Sequence, residues 1–133
     1  MDFGLKPGLK GEVHKTVAPT DTTFHLATGK ISVLASPMMI WLMESAAVAA
    51  VDHLLPTGFQ TVGTHVDVRH TAPTPLGMQV TAHAELTQVE GRNLTFRVTA
   101  VDEKEQVGEG THQRVVIDVA RFQERVQSKA SSG

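Results

Sequence analysis

Hydrophobic and polar residues change their spacing partway along the chain. Between residues 37 and 51 almost every residue is apolar, and only Glu44 and Ser45 interrupt the run. Alanine, leucine and methionine are frequent there, which favours a helix over a strand. A helix that is apolar on nearly every side is expected to be buried on nearly every side. The pattern therefore predicts a long, buried helix.

The residues at both ends of this run fit a helix. Ser36 and Pro37 are typical of a helix start, because a serine hydroxyl accepts a hydrogen bond from a free N–H and proline tolerates the first helical position. Pro56 and Gly58 are typical of a helix end. We predict a helix from this start to about Leu55.

After the helix, apolar residues recur at every second position, which is typical of strands. In the segment 61–70 the alternation places Val62, Val66, Val68 and His70 on one face. Tight turns are predicted between the later strands. The predicted strands are residues 11–18, 61–70, 78–89, 93–101 and 106–119, followed by a short helix at 120–127 and a frayed end at 127–133.

A strand, a buried helix and four antiparallel strands predict an α+β fold with the helix on one face of the sheet. At 133 residues the chain fits one domain, residues 1–133. The helix has more apolar sides than one sheet can cover. A second copy of the chain is expected to cover the rest, so we predict a homodimer.

Composition and charge exclude several classes of protein. Twelve Lys and Arg against 14 Asp and Glu give a net charge of −2, which does not favour nucleic acid as a partner. The absence of cysteine excludes disulfides, thiolate metal sites and a cysteine nucleophile. No apolar run follows the N-terminal residues, and the run at 37–51 is too short to span a bilayer. We expect a cytoplasmic protein without a membrane partner.

Two ionisable side chains fall at apolar positions. Glu44 lies in the apolar helix, where a carboxylate is costly unless it is paired. It either caps a turn or reaches the surface, or it is a catalytic base with a pKa set by burial. His70 is either a hydrogen-bonded core residue or a general acid–base group. Metal binding is the weaker alternative, because His65 and His70 are five apart on a strand and point to opposite faces.

Ser36 and Arg114 are further candidates. Ser36 either caps the helix or joins the helix N-terminal N–H groups in holding an oxyanion. It lies roughly 12 Å from Glu44 along a helix, so a site using both residues would take one from each of two chains. Arg114 shares a strand face with Gly108 and Gly110, which leave room for a ligand or a neighbouring backbone; a solvated arginine is the alternative.

Four segments of the chain resemble the fluoroacetyl-CoA thioesterase family. The spacing between them is also similar to that of the family. The resemblance implies the hot-dog fold, in which an antiparallel sheet wraps a long helix and subunits pair to complete the sites. It further implies hydrolysis of an acyl-CoA. The segments are SPMMIWLMES at 36–45, GTHVDVRHTAPTPLG at 63–77, VEGRNLTFR at 89–97 and GEGTHQR at 108–114.

The resemblance also assigns roles to individual residues. Ser36, Glu44 and His70 match the family's catalytic threonine, glutamate and histidine. Gly63 matches a glycine that contacts the acyl group, and Arg114 matches an arginine near the same pocket. No metal and no separate cofactor is expected, since CoA enters as part of the substrate.

Two departures from the family affect the expected substrate. Ser36 replaces a threonine, and the segment His25–Ala35 is shorter than in the fluoroacetyl-specific enzyme and lacks its lid phenylalanines. We therefore expect a small or medium acyl-CoA rather than a strict preference for fluoroacetyl-CoA. The alternative is a non-catalytic module on the same fold that binds an acyl-CoA or another small ligand. A hydratase is not supported, because the helix lacks a recognisable Asp/His spacing.

Overall fold

Alternating apolar residues build a five-stranded antiparallel sheet, and the apolar run that precedes most of it forms a long helix against that sheet. The computed structural model describes residues 2–131. The α+β prediction and the order of the elements are confirmed. The elements are β1 Lys10–Thr16, α1 Ser36–Val51, β2 Phe59–His70, β3 Gln79–Glu90, β4 Asn93–Asp102, β5 Gln106–Asp118 and α2 Val119–Ser131, with short 3-10 helices at Pro19–Asp21 and Asp52–Leu54.

The sheet order is β1-β3-β4-β5-β2, with every pair antiparallel. The strand β2 follows α1 directly in the sequence, yet it pairs with β5 at the far edge of the sheet. Within the described residues, β2 has no strand on its other side. One long edge therefore keeps free backbone groups, which are a template for pairing with another strand.

The core lies between α1 and the sheet. On β4 the alternation of residues 93–101 places Leu94, Phe96, Val98 and Ala100 on one face, and all four are buried. The buried residues of α1 face the strands β1 and β3, and each strand contributes apolar side chains to the core. The largest fully buried side chains include Phe96, Leu34, Met39, Met43, Leu86, Leu94, Val80 and Val98.

The strand β1 approaches α1 closely enough to require glycine. A Cβ atom at Gly11 would lie 2.0 Å from the carbonyl oxygen of Ala46 and 2.6 Å from the amide nitrogen of Ala50. Both neighbours are backbone atoms of the helix, so neither can rotate away. The small residue at position 11 sets the distance between this strand and the helix.

The prediction that α1 is buried on nearly every side holds only for its sheet-facing side. Pro37, Trp41 and Ala49 are exposed and Ser45 is half-buried, and the spacing of four puts them in one stripe. The indole of Trp41 is 48% exposed. Exposed apolar surface of this kind is typical of interaction sites.

The predicted end of the helix was too late. The α-helix stops at Val51, and the 3-10 helix Asp52–Leu54 continues the chain to the residues before Pro56. At the other end of the chain the predicted helical turn is longer than expected. The helix α2 includes most of the predicted frayed end, whose last two residues lie outside the described residues.

A β-bulge changes the alternation along β2. Gly63 pairs with Arg114 and His65 pairs with Gln113, so Thr64 is an extra residue. The strand's alternation therefore shifts by one at that point. Gly63 faces the helix before the bulge, and Val68 and His70 face it afterwards. The prediction that Val62 shares the face of His70 was wrong for this reason.

Among residues 2–131, no helix is both long enough and apolar enough to cross a membrane.

Candidate active site

The last residue of β2 meets the first residue of α1. The Oγ atom of Ser36 lies 2.7 Å from Nδ1 of His70, which is hydrogen-bond distance. Both side chains line a surface depression whose other walls come from the loop before α1 and the segment after β2. The resulting hydroxyl–imidazole pair is the arrangement in which an imidazole activates a nucleophile.

Ser36 is not the helix cap that the sequence suggested. The N-cap position belongs to Ala35, and Ser36 is the first helical residue. Its hydroxyl is engaged with His70 instead of a backbone N–H. This pairing cannot be predicted from local sequence, because 34 residues separate the partners.

The start of α1 offers fewer backbone donors than the sequence suggested for an oxyanion. The N–H groups of Met38 and Met39 both donate to the carbonyl of Ala35, at 3.0 and 3.1 Å. Pro37 has no N–H to offer. Of the first four helical residues, only Ser36 keeps an N–H outside these bonds.

The surroundings of His70 favour the neutral form of its imidazole. Burial of the ring lowers the pKa of His70, and the backbone of Ala72 partly offsets that effect. The Nε2 atom is buried and has no hydrogen-bond partner within residues 2–131. In the tautomer that carries its proton on Nε2, the neutral imidazole has a lone pair at Nδ1 and is able to accept the proton of the Ser36 hydroxyl.

A second depression brings together Glu44, Gly63 and Arg114. The Oε1 atom of Glu44 lies 3.6 Å from Nη1 of Arg114. A Cβ atom at Gly63 would lie 2.6 Å from the same Oε1 atom. Glycine at position 63 therefore keeps open the space in front of the carboxylate.

Of the alternatives that the sequence left open for Glu44, the structure agrees with a side chain that reaches the surface. Its side chain is 38% exposed in the protomer, on the border of the open helix stripe. Arg114 is buried rather than solvated, since it is only 7% exposed. The glycine beside its guanidinium is Gly63 on β2, where a Cβ atom would lie 3.5 Å from Nη1, whereas Gly108 makes room for Met39.

The guanidinium of Arg114 is held on three sides. Its Nε donates to Oγ1 of Thr61 at 2.7 Å, its Nη2 donates to the Thr61 carbonyl at 3.1 Å, and its Nη1 lies 3.1 Å from Nε2 of His112. Thr61 in turn donates its hydroxyl to Asp52. Burial lowers the pKa of Arg114, while Asp52 and Glu44 act in the opposite direction.

His112 is the site residue that sequence reasoning did not select. It is 1% exposed and lies 3.8 Å from the Glu44 carboxylate, between Arg114 and the backbone of β2. The available signal was its position on the strand face of Gly108, Gly110 and Arg114. That face lies against the helix.

The structure brings the predicted site residues together in two groups. Ser36 lies with His70, and Glu44 lies with Gly63 and Arg114. Among the described residues the two depressions share no lining residue. Ser36 and Glu44 are eight residues apart on α1, or roughly 12 Å along its axis. Neither group by itself contains all the predicted catalytic residues.

No group of three or more His, Asp and Glu side chains within residues 2–131 is arranged to hold a metal ion.

Comparison with known proteins gives one consistent result. A model of the fluoroacetyl-CoA-specific thioesterase family matches residues 17–120. A fluoroacetyl-CoA thioesterase from Streptantibioticus cattleyicolor is 45% identical over an alignment that covers 100% of both chains. Residues 17–120 include every candidate residue described above.

Solved structures give the same result for the fold. A structure of the fluoroacetyl-CoA thioesterase matches with a TM-score of 0.88 at 39% identity, covering 95% of this chain and 98% of the other. A hot-dog-like protein from Thermanaerovibrio acidaminovorans matches with a TM-score of 0.88 at 29% identity, covering 100% and 99%. The predicted hot-dog fold is thereby confirmed.

Proposed function

The chain belongs to the fluoroacetyl-CoA-specific thioesterase family, and from this premise we propose that it hydrolyses the thioester of a small or medium acyl-CoA to the free acid and CoA. The observation that carries this proposal is the 2.7 Å contact between Ser36 Oγ and His70 Nδ1 in an open depression. A module that only binds acyl-CoA has no need for an imidazole poised on a hydroxyl.

The proposed roles follow from the chemistry of each group. His70 accepts the proton of the Ser36 hydroxyl, or of a water molecule in its place, as the new bond to the thioester carbonyl forms. The C–S bond then breaks, and His70 returns the proton to the leaving thiolate. On the route through Ser36, a water molecule deprotonated by His70 then attacks the acyl ester, which releases the free acid and restores the Ser36 hydroxyl. Glu44 activates water or supports the imidazolium that forms on His70. These residues move protons by themselves, so we propose no metal and no separate cofactor.

Gly63 and Arg114 are proposed to hold the acyl end of the substrate. Gly63 lacks the side chain that would fill the space before Glu44, and Arg114 lines the same depression. Phe24, in the segment before α1, is 66% exposed and lines neither depression. We therefore propose acceptance of a range of small or medium acyl groups.

We expect the purified protein to release free thiol from a panel of acyl-CoA substrates that includes acetyl-, fluoroacetyl-, butyryl- and hexanoyl-CoA. Thiol release is measured with a chromogenic thiol reagent, and binding is measured in parallel by calorimetry. Hydrolysis of several members is the expected result, with no more than about a tenfold advantage for fluoroacetyl-CoA. That limit is the lower end of the roughly 10- to 200-fold discrimination that a closely fitting apolar pocket achieves for one methylene. Binding of these substrates without thiol release would instead identify a binding module.

We further propose that the working unit is a homodimer. Three features support this: the free edge of β2, the exposed apolar stripe of α1 and the division of the candidate residues between two depressions. A two-fold interface along β2 and α1 would cover the edge and the stripe together. It would also allow the Glu44 group of one protomer to face the Ser36–His70 pair of its partner.

We propose a cytoplasmic location as well, since CoA thioesters are used there.

The shared site has a direct test by mixing inactive variants. Chains carrying H70Q and chains carrying E44Q are each expected to be inactive as pure dimers. If they are unfolded and refolded together in equal amounts, half of the dimers are mixed and each mixed dimer has one intact site. The expected recovery is about a quarter of wild-type thiol release. Failure to recover activity, with mixed dimers shown by mass spectrometry, would place each site within one chain.

A further inference from the structure

Both nitrogen atoms of the buried His112 ring have polar partners. Its Nδ1 atom lies 2.8 Å from the backbone carbonyl of His65. A carbonyl oxygen only accepts hydrogen bonds, so Nδ1 carries the proton. The bulge at Thr64 lies immediately before His65 on the facing strand.

The other ring nitrogen has a partner that only donates. Nε2 of His112 lies 3.1 Å from Nη1 of Arg114. A guanidinium has no acceptor, so Nε2 must provide a lone pair. The two neighbours therefore require the same state of the ring, which is neutral with the proton on Nδ1.

The surrounding charges agree with that state. Burial lowers the pKa of His112, and the charges of Arg114 and of the His65 ring lower it further. The carbonyl of His65 and the carboxylate of Glu44 act in the opposite direction. The ring of Phe96 on β4 covers the remaining side, with ring centroids 6.3 Å apart.

The bond from Arg114 to His112 decides where the guanidinium presents its remaining donors. Thr61 holds the Nε and Nη2 edge, and His112 holds one N–H of Nη1. The second N–H of Nη1 is left on the side of Glu44, whose Oε1 atom is 3.6 Å away. Without an acceptor at position 112, the Nη1 end would be free to shift within the depression.

We propose that His112 is a positioning residue of the thioesterase site, a permanently neutral imidazole that orients the Arg114 guanidinium toward the Glu44 carboxylate and the space before Gly63. The kinetic part of this inference rests on the proposed function. The state of the ring does not depend on it, and the two parts are tested separately.

The state of the ring is measured by ¹⁵N NMR of the histidine side chains at neutral pH, with H112Q used to assign the signal. The expected spectrum has a protonated Nδ1 and an unprotonated Nε2 for His112. A ring protonated on Nε2, or on both nitrogens, would overturn the proposal whether or not the protein hydrolyses acyl-CoA.

The kinetic test compares two substitutions of the same residue. H112F keeps a ring in the core but removes the acceptor for Arg114, and H112Q keeps an acceptor near the position of Nε2. We expect kcat to fall by about 10- to 100-fold in H112F, as for loss of a hydrogen bond to a charged group. H112Q should recover most of that loss, and KM should change less than kcat in both.

The matched control is H14F, the same replacement at a histidine that is exposed on β1. Urea unfolding of each variant separates a folding defect from a positioning defect. Normal turnover in H112F would overturn the inference. An equal loss in H112F and H112Q, with both as stable as the wild type, would also overturn it because the acceptor would then not matter. If the wild-type protein released no thiol, the proposed function would fail while the NMR result stood.

Discussion

Replacing His70 by glutamine is expected to lower kcat for acyl-CoA hydrolysis by roughly 10²- to 10⁴-fold, the usual contribution of a positioned acid–base group. Glutamine is close in size to histidine and can hydrogen-bond to Ser36, but it takes no proton at neutral pH. The loss would therefore report proton transfer rather than packing. Steady-state thiol release with a saturating acyl-CoA measures the effect.

The control for this variant is H14Q, which makes the same change at an exposed position on β1. It should leave kcat within about twofold of the wild type, as expected for a surface change away from the site. H70Q should unfold near the wild-type urea midpoint. Turnover close to normal in a folded H70Q protein would remove His70 from the mechanism and leave the 2.7 Å contact with Ser36 as a structural bond.

The pH dependence of the wild-type enzyme follows from the same residue. Burial lowers the pKa of His70 below the usual 6.5. A general base works in its neutral form, which exists above its pKa, so a lowered pKa extends activity to more acidic solution. The acid limb of kcat/KM should therefore fall below pH 6.5. The residual activity of H70Q should lack this limb.

Replacing Gly11 by alanine is expected to destabilise the protein strongly. The added Cβ would lie 2.0 Å from the carbonyl oxygen of Ala46 on α1. The atoms of α1 at this contact belong to the backbone and cannot rotate away. The clash is therefore relieved only if β1 and α1 move apart. We expect the free energy of unfolding to fall by about 3 kcal/mol or more, which lowers the melting temperature by roughly 10 °C or more.

Gly58 provides the control for this substitution. Among the described residues, nothing lies within 4 Å of a Cβ atom placed there, and only its φ of 92° opposes alanine. Backbone strain alone should cost about 1 kcal/mol in G58A. Urea denaturation and thermal melts of both variants measure the difference. Equal stability of G11A and G58A would show that β1 and α1 can separate freely, contrary to the close packing described above.

Sequence patterns were sufficient wherever the structure depends on neighbours in the chain. The apolar run after Ser36 determined a helix, and the period of two along residues 93–101 determined a strand with Leu94 and Phe96 inward. These features follow from local backbone geometry, in which side chains repeat every 3.6 residues in a helix and every two in a strand. The length of the chain and its balanced charge could also be taken directly from the sequence.

The resemblance of four separate segments to the thioesterase family identified the family and the candidate residues. It did not determine their contacts. Whether Ser36 caps its helix or bonds to His70 depends on where β2 ends, and that depends on β2 crossing to the far edge of the sheet.

Only the tertiary structure decided the remaining features of the site. One extra residue at Thr64 reverses the alternation of β2, so that Gly63 before it and His70 after it both face the helix. The glycine is compatible with a bulge but does not by itself specify one. The burial of Arg114 likewise depends on acceptors from Thr61 and His112, which lie on two different strands. The contact between Arg114 and Thr61 joins residues 53 apart in the chain, and the three side chains meet only because β2 pairs with β5. Their geometry is therefore set by how whole elements pack rather than by any local preference.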